Sequence, residues 1–218
     1  MGFKVGIVED DDFTRSMLVS SLSGLGHTVA IDSPEPRALL EFAKANDLDA
    51  VVLDLHLGKG PTGLDLAVVI HRLKPKIGIV MLTSYEEPRL LRSNLPSLPA
   101  GAVYLRKGEV SSVDHLEQAL ARAINGGESS ATLEAGAESS QLAQLSDSQL
   151  EIMRLLSQGL SNSEIAKRRF ITEKAVEISI TRTAKILKVE RNQSQNQRMN
   201  MAKAYFRALG MKLDDDGS

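Results

Sequence analysis

The chain has 218 residues, no cysteine and a formal net charge of −2. This length suits two small domains, and the lack of cysteine excludes disulfides, thiolate metal sites and a cysteine nucleophile. Charge is unevenly divided, since residues 1–124 carry 13 basic and 16 acidic side chains whereas residues 145–218 carry 13 and 9. No apolar run reaches the roughly 20 residues that span a bilayer, so we expect a cytoplasmic protein with no membrane partner.

Strand and helix patterns alternate through the first half of the chain. Short apolar runs predict strands that a parallel sheet buries on both faces, at residues 4–8, 27–31, 50–55, 78–82 and 102–105. Helical spacing predicts five helices between and after these strands. The first covers Phe13–Leu25, the second follows a cap at Ser33, and the third ends at Leu73. The fourth is short and follows Pro88, and the fifth runs from Ser111 to Ile124. This alternation predicts an α/β fold with a five-stranded parallel sheet in the flavodoxin-like strand order.

The ends of the predicted strands carry residues with complementary chemistry. Glu9 and Asp10 follow the first strand and Asp54 ends the third, while Thr83 and Lys107 come at the ends of the last two. Because the carboxyl ends of parallel strands form one edge, where α/β proteins bind ligands, we expect these side chains to meet there. Clustered carboxylates suit Mg²⁺, and a hydroxyl beside an ammonium suits a phosphoryl group.

With these residues in this order, each at a strand end, residues 3–124 resemble the receiver domain of response regulators. The resemblance implies that Asp54 is the phospho-acceptor and that Thr83 and Lys107 contact the phosphoryl group. It also implies that Tyr104, three residues before Lys107, is the switch aromatic. The resemblance implies a cognate histidine kinase as the partner of this domain.

The resemblance further implies a Mg²⁺ cofactor bound by Glu9, Asp10, Asp54 and the backbone carbonyl of His56. His56 stands two residues after Asp54, where a haloacid-dehalogenase-like phosphatase would need a second aspartate, so that class of enzyme is disfavoured. We therefore expect no metabolic activity. The receiver would catalyse only its own phosphoryl transfer and dephosphorylation.

A change of composition divides the chain after the first domain. Residues 125–144 are rich in Gly, Ser, Ala and Glu and offer little to bury, which predicts a linker. Capping boxes at Ser146 and Ser161, and a capping residue at Thr172, then predict three successive helices, the last reaching Leu187. The short helix, tight turn and longer helix predict an all-α helix-turn-helix domain over 145–212, before an acidic tail at 213–218.

The third of these helices is predicted to carry the binding face. At helical spacing its buried side would hold Val176, Ile180, Ala184 and Leu187. The opposite side would be exposed and carries Lys174, Glu177, Ile178, Thr181 and Lys185. An exposed isoleucine suits a thymine methyl in the major groove. Basic residues around this face suit phosphates, namely Arg168, Arg182 and Lys188.

Residues 145–190 resemble the LuxR-type helix-turn-helix of the NarL/FixJ class of response regulators. The resemblance is carried by Leu145-Ser146, by the run Gly159–Ala166 and by Val176-Glu177. It implies double-stranded DNA as partner, base contacts by Glu177, Ile178 and Thr181, and a homodimer when active. Many members have lysine where this chain has Glu177, which predicts a different DNA sequence preference.

Taken together, the patterns predict a DNA-binding transcriptional response regulator that a histidine kinase switches by Mg²⁺-dependent phosphorylation of Asp54. Two alternatives stay open at this point. One is a regulator that controls DNA binding without phosphorylation. The other is a signalling adaptor whose helix-turn-helix binds protein, which the acidic Glu177 allows; a salt-dependent affinity for DNA argues against it.

Overall fold

The structure is a computed structural model that describes residues 2–91, 95–110, 112–126, 141–189 and 196–211. The chain forms two compact units. The described residues of unit 1 are 2–84, 95–110 and 112–126, and those of unit 2 are 85–91, 141–189 and 196–211. No helix in these ranges combines the length and apolar character needed to cross a membrane.

Unit 1 is built on a five-stranded parallel sheet. Its strands are β1 (Lys4–Val8), β2 (Thr28–Ser33), β3 (Ala50–Asp54), β4 (Gly78–Thr83) and β5 (Val103–Arg106), in the order β2-β1-β3-β4-β5. β3 is buried along its whole length, as its apolar sequence predicted. The parallel sheet and its flavodoxin-like order are confirmed.

In the described part of unit 1, strands are followed by the helices α1 (Asp12–Gly24), α2 (Pro36–Ala45), α3 (Gly63–Leu73) and α4 (Val113–Ile124). Leu18 and Leu22 of α1 and Leu116 and Leu120 of α4 pack in one core with residues of the central strands. Phe13 shares the apolar spacing of α1 but is 73% exposed. The first turn of α1 therefore extends beyond the core that its second half covers.

Two of the predicted helices differ from the sequence prediction. Ser33 does not cap α2, because it ends β2 and its hydroxyl oxygen accepts from the backbone N–H of Glu35; Glu35 precedes the helix, and α2 begins at Pro36. A single 3₁₀ turn, Pro88–Leu90, takes the place of the short helix predicted after Pro88, and it belongs to unit 2.

Unit 2 is helical, with α5 (Asp147–Ser157), α6 (Asn162–Arg169), α7 (Glu173–Ile186) and α8 (Gln197–Ala208). Both predicted capping boxes form. The hydroxyl oxygens of Ser146 and Ser161 accept from the backbone N–H three residues on, and the backbone N–H groups of the two serines donate to the side chains of Gln149 and Glu164. Thr172 caps α7 as predicted. Between α6 and α7, Phe170 adopts a left-handed conformation with φ of 54°, which makes the tight turn of a helix-turn-helix.

The segment 85–91 packs inside unit 2, although in the chain it begins only two residues after Thr83, the last residue of β4. Leu90 is 7% exposed within an apolar cluster that also contains Leu142, Leu145, Leu150, Met153 and Tyr205. Arg89 extends from the same turn and donates to the carbonyl of Leu145 at 2.9 Å and to the Asp147 carboxylate at 3.0 Å. This segment therefore supplies part of the core of unit 2.

Candidate functional site

Three carboxylates meet at the carboxyl ends of β1 and β3. Glu9 follows β1 and is 1% exposed, Asp54 ends β3 and is 6% exposed, and Asp10 lies beside them at the surface. Each offers a ligand oxygen, and these oxygens all lie within 4.8 Å of one another. The two strands are adjacent in the sheet, which is why residues 45 positions apart come together.

Lys107 supplies the positive charge of this carboxylate cluster. It begins the 3₁₀ turn that follows β5, and its Nζ lies 2.7 Å from Glu9 Oε2 and 3.2 Å from Asp54 Oδ2. Burial opposes the charge on this ammonium, but the paired carboxylates Asp54 and Glu9 outweigh it and raise the pKa of Lys107. The lysine is therefore protonated while it bridges the two buried acids.

The buried acids are harder to ionise than ordinary carboxyls. Burial raises the pKa of Asp54, and the effect is reduced by Lys107 and by the backbone N–H of His56 but increased by Asp10. Burial likewise raises the pKa of Glu9, with Lys107 acting against it and Asp54 adding to it. Among the described residues, one lysine pairs with these three carboxylates, so the cluster carries an excess of negative charge when all three are ionised.

The remaining residues that the sequence predicted for this site occupy two neighbouring strands. Thr83 at the end of β4 is fully buried, and Tyr104 in β5 is 4% exposed. Thr83 pairs with Arg106 and Met81 pairs with Tyr104, so alternation along the strands puts Thr83 and Tyr104 on the same face of the sheet. The His56 imidazole is exposed, whereas its backbone N–H donates to Asp54.

Gly63 is a residue of the site that sequence reasoning missed, because it ends the glycine-rich run Gly58–Gly63 and nothing in that run distinguishes it from the other glycines. It is the first residue of α3, and a Cβ atom there would lie 1.9 Å from the backbone oxygen of Asp54. The helix can approach the end of β3 only because this residue has no side chain. Gly63 thus allows α3 to begin in close contact with the backbone that carries the Asp54 carboxylate.

Asp11 and Asp12, which complete the acidic run after β1, lie outside the carboxylate cluster. The Asp11 carboxylate accepts from the Thr14 hydroxyl at 2.6 Å and caps α1 by accepting from the Thr14 backbone N–H at 2.8 Å, and these two bonds lower the pKa of Asp11. Asp12 pairs with Arg15 at the surface. Within this run, only Glu9 and Asp10 are therefore available to a cation beside Asp54.

In unit 2 the exposed side of α7 is the one that the sequence predicted. Val176, Ile180 and Ala184 are buried and Leu187 is half-buried, while Lys174, Glu177, Thr181 and Lys185 are exposed and Ile178 is 43% exposed. The Lys174 ammonium lies 2.9 Å from the Glu177 carboxylate. The sequence did not anticipate Thr183, which is also buried in the interior of the domain.

Three more basic residues flank this side of α7. Arg168 in the last turn of α6, Arg182 in α7 and Lys188 just after α7 are all exposed. Lys188 has a left-handed backbone, with φ of 52°, where the chain leaves the helix. The helix therefore offers an exposed polar side bordered by cations, which suits an acidic, extended partner.

Two family models match the chain. The response regulator receiver domain matches residues 5–105, and the bacterial regulatory proteins of the luxR family match residues 143–199. The chain is a response regulator. Its receiver domain holds the carboxylate cluster, and its LuxR-type helix-turn-helix contains α6 and α7.

The regulator is similar along most of its length to characterised members of the NarL class. It is 26% identical over 201 residues to the nitrate/nitrite response regulator protein NarP of Escherichia coli, covering 86% of this chain and 89% of the relative. It is 28% identical over 206 residues to the DNA-binding transcriptional activator DevR/DosR of Mycobacterium tuberculosis, with the same coverage.

Solved structures of RcsB share the fold. A structure of two RcsB dimers bound to two parallel DNAs matches with a TM-score of 0.60 and 20% identity, covering 96% of this chain and all of that chain. RcsB of Salmonella enterica serovar Typhimurium, bound to promoter rprA in the presence of the phosphomimetic BeF3−, matches with a TM-score of 0.53 and 22% identity, over 93% of this chain and all of that chain.

Proposed function

We propose that this response regulator is a DNA-binding transcriptional regulator, switched when a histidine kinase transfers a phosphoryl group to Asp54. The observation that carries the proposal is the Asp54 carboxylate itself. It ends a buried strand within 4.8 Å of the ligand oxygens of Glu9 and Asp10 and 3.2 Å from the Lys107 ammonium. This constellation combines a nucleophilic oxygen, a cation-binding set and a fixed positive charge.

The ligand set suits Mg²⁺, because carboxylate and carbonyl oxygens are what this hard cation prefers. Glu9, Asp10, Asp54 and the backbone carbonyl of His56 would hold it. When bound, Mg²⁺ supplies positive charge that offsets the excess negative charge of the carboxylates and of an incoming phosphoryl group. A bound cation would thus relieve the repulsion among the three acids, independently of any phosphorylation.

The transfer needs few protein groups. An Asp54 oxygen attacks the phosphorus of the kinase's phosphohistidine, the phosphorus–nitrogen bond breaks, and the imidazole takes up a proton as it leaves. Lys107 pairs with the phosphoryl oxygens and Thr83 donates its hydroxyl to them. The acyl phosphate adds about two negative charges to the site. Thr83 and Tyr104 lie on the same face of the sheet, so a movement of Thr83 toward the phosphoryl group would alter the space available to the Tyr104 ring.

The output is binding to double-stranded DNA as a homodimer. The second helix of a helix-turn-helix enters the major groove, and α7 exposes Lys174, Glu177, Ile178 and Thr181 for this purpose. Arg168, Arg182, Lys185 and Lys188 would contact phosphates. The relative DevR/DosR is a DNA-binding transcriptional activator, and RcsB has been solved as dimers on DNA, which supports this reading.

The first test is intact-mass measurement after incubation with Mg²⁺ and a small-molecule phosphodonor or a phosphorylated histidine kinase. Wild type and an Asp12→Ala control should gain one phosphoryl group, whereas Asp54→Ala should gain none. Wild-type protein left unmodified by every donor, or an adduct that persists in Asp54→Ala, would refute the proposed switch. Affinity for duplex DNA should then fall as salt is raised, because phosphate contacts release counterions.

A further inference from the structure

Four exposed residues of α7, Lys174, Glu177, Ile178 and Thr181, form what we call the reading face. They occupy the N-terminal two-thirds of the helix, which is the part of a recognition helix that meets base edges. The Thr181 hydroxyl donates to the backbone carbonyl of Glu177 at 2.9 Å, so its proton is already in use and its oxygen is left as an acceptor. Lys174 is then the single donor among the four.

The chemistry of the major groove restricts what Glu177 can contact. An ionised carboxylate only accepts hydrogen bonds, and the donors in that groove are the amino groups of cytosine and adenine. Guanine presents two acceptors to the groove, which would repel Glu177. Lys174, 2.9 Å away, offsets the negative charge of Glu177 close to the DNA. Glu177 is therefore compatible with amino-bearing bases and opposed to guanine.

Cytosine suits this carboxylate better than adenine. The adenine amino group lies beside the N7 acceptor, whereas cytosine presents its N4 amino group with no neighbouring acceptor on the same base. Ile178 adjoins Glu177 in the chain and is 43% exposed, with no polar atoms in its side chain. Such a side chain contacts the thymine methyl group favourably.

We propose that Glu177 is a specificity-determining residue that selects cytosine through its N4 amino group at one position of each half-site, with Ile178 selecting a nearby thymine. This inference rests on the proposed DNA-binding function. It goes further by assigning a base to Glu177, for which the family resemblance implied a base contact and a changed sequence preference without naming the base.

The test is selection of binding sites from a random duplex library by the full-length protein, treated with Mg²⁺ and phosphodonor. Wild type should enrich a site with cytosine at one position per half-site. Glu177→Lys should prefer guanine at that position, and Glu177→Gln should prefer adenine, because these are the bases that lysine and glutamine read. Each preference should amount to at least about fivefold in affinity. Glu173→Gln removes an exposed acid from the first turn of α7 and should leave the site unchanged.

The outcomes separate the two proposals. If wild type and Glu177→Lys enrich the same site, or if the position that changes is not cytosine in wild type, the assignment of Glu177 is overturned while DNA binding stands. If wild type shows no salt-dependent affinity for any duplex, the proposed function and the assignment both fail. Binding to a protein partner instead would point to the adaptor alternative.

Discussion

Replacing Asp54 with asparagine should stabilise the regulator in the absence of divalent cations. Two carboxylates whose oxygens lie within 4.8 Å of Asp54 each repel it by about 3.5 kcal/mol at an effective dielectric constant of about 20. Lys107, at 3.2 Å, attracts it by about 5 kcal/mol on the same scale. The net repulsion is about 2 kcal/mol before any cost of burial. Asp54→Asn should therefore raise the free energy of unfolding by about 2 kcal/mol at pH 7.

The pH dependence has a definite sign. Folding raises the pKa of Asp54, so as the pH falls the folded wild type takes up a proton before the unfolded chain does, and its stability recovers. The extra free energy of unfolding of Asp54→Asn should therefore be fully present above the raised pKa of Asp54 in the folded protein. It should disappear below the pKa of about 3.9 that an aspartate has in the unfolded chain. An ordinary salt-bridged aspartate, whose pKa is lowered, would give the opposite trend.

Urea unfolding followed by circular dichroism, with a chelator present, measures this difference. Glu117→Gln removes an exposed acid from α4 and should change stability by less than about 0.5 kcal/mol. Adding Mg²⁺ at a hundred times its Kd should stabilise wild type by about 2.7 kcal/mol and should stabilise Asp54→Asn much less, because a ligand is missing. If Asp54→Asn is less stable than wild type in chelator at pH 7, the electrostatic argument is wrong.

Three further predictions can be checked by the same unfolding measurement. Lys107→Met leaves Glu9 and Asp54 without their cation and should lower the free energy of unfolding by about 3 kcal/mol in chelator; Mg²⁺ should restore part of that loss, and no response to Mg²⁺ would contradict this account. Gly63→Ala forces a Cβ atom against the Asp54 backbone and should destabilise unit 1 by about 3 kcal/mol or more, whereas Gly24→Ala, with open space around the added atom, should be neutral or slightly stabilising. Leu90→Ala removes a buried side chain from unit 2 and should lower the free energy of unfolding by about 2–4 kcal/mol. Leu73 is 45% exposed, so Leu73→Ala should change the free energy of unfolding little. Equal effects of the two substitutions would show that Leu90 is not part of that core.

The fold was predictable where local pattern and long-range topology agree. β3 reads as a buried strand because all of its residues are apolar up to Asp54, and an acid can end such a strand only at the edge of the sheet. The capping boxes of Ser146 and Ser161 are signals confined to four residues each, so the first residues of α5 and α6 could be located from sequence. Because the carboxyl ends of parallel strands form one edge of the sheet, the sequence also predicted that Glu9, Asp54 and Lys107 lie close together.

Other features depend on packing that sequence spacing does not encode. Periodicity assigns Phe13 to the apolar side of α1, but the core of unit 1 does not extend that far along the helix. A run of four acids does not reveal that Asp11 is a helix cap while Glu9 is buried. Gly63 looks like any loop glycine until its distance to the Asp54 backbone is known.

The position of residues 85–91 inside unit 2 has a practical consequence for work on the isolated DNA-binding half. A fragment cut at the predicted domain boundary retains residues 145–212 but loses Leu90 and the guanidinium of Arg89. Leu145 and Tyr205, which share a cluster with Leu90, would then be more exposed to water, and the Leu145 carbonyl would lose its donor. Such a fragment is expected to unfold more readily than the same residues in the whole chain. DNA affinities measured on it would therefore describe a loosened domain, and an intact chain is the sounder reference.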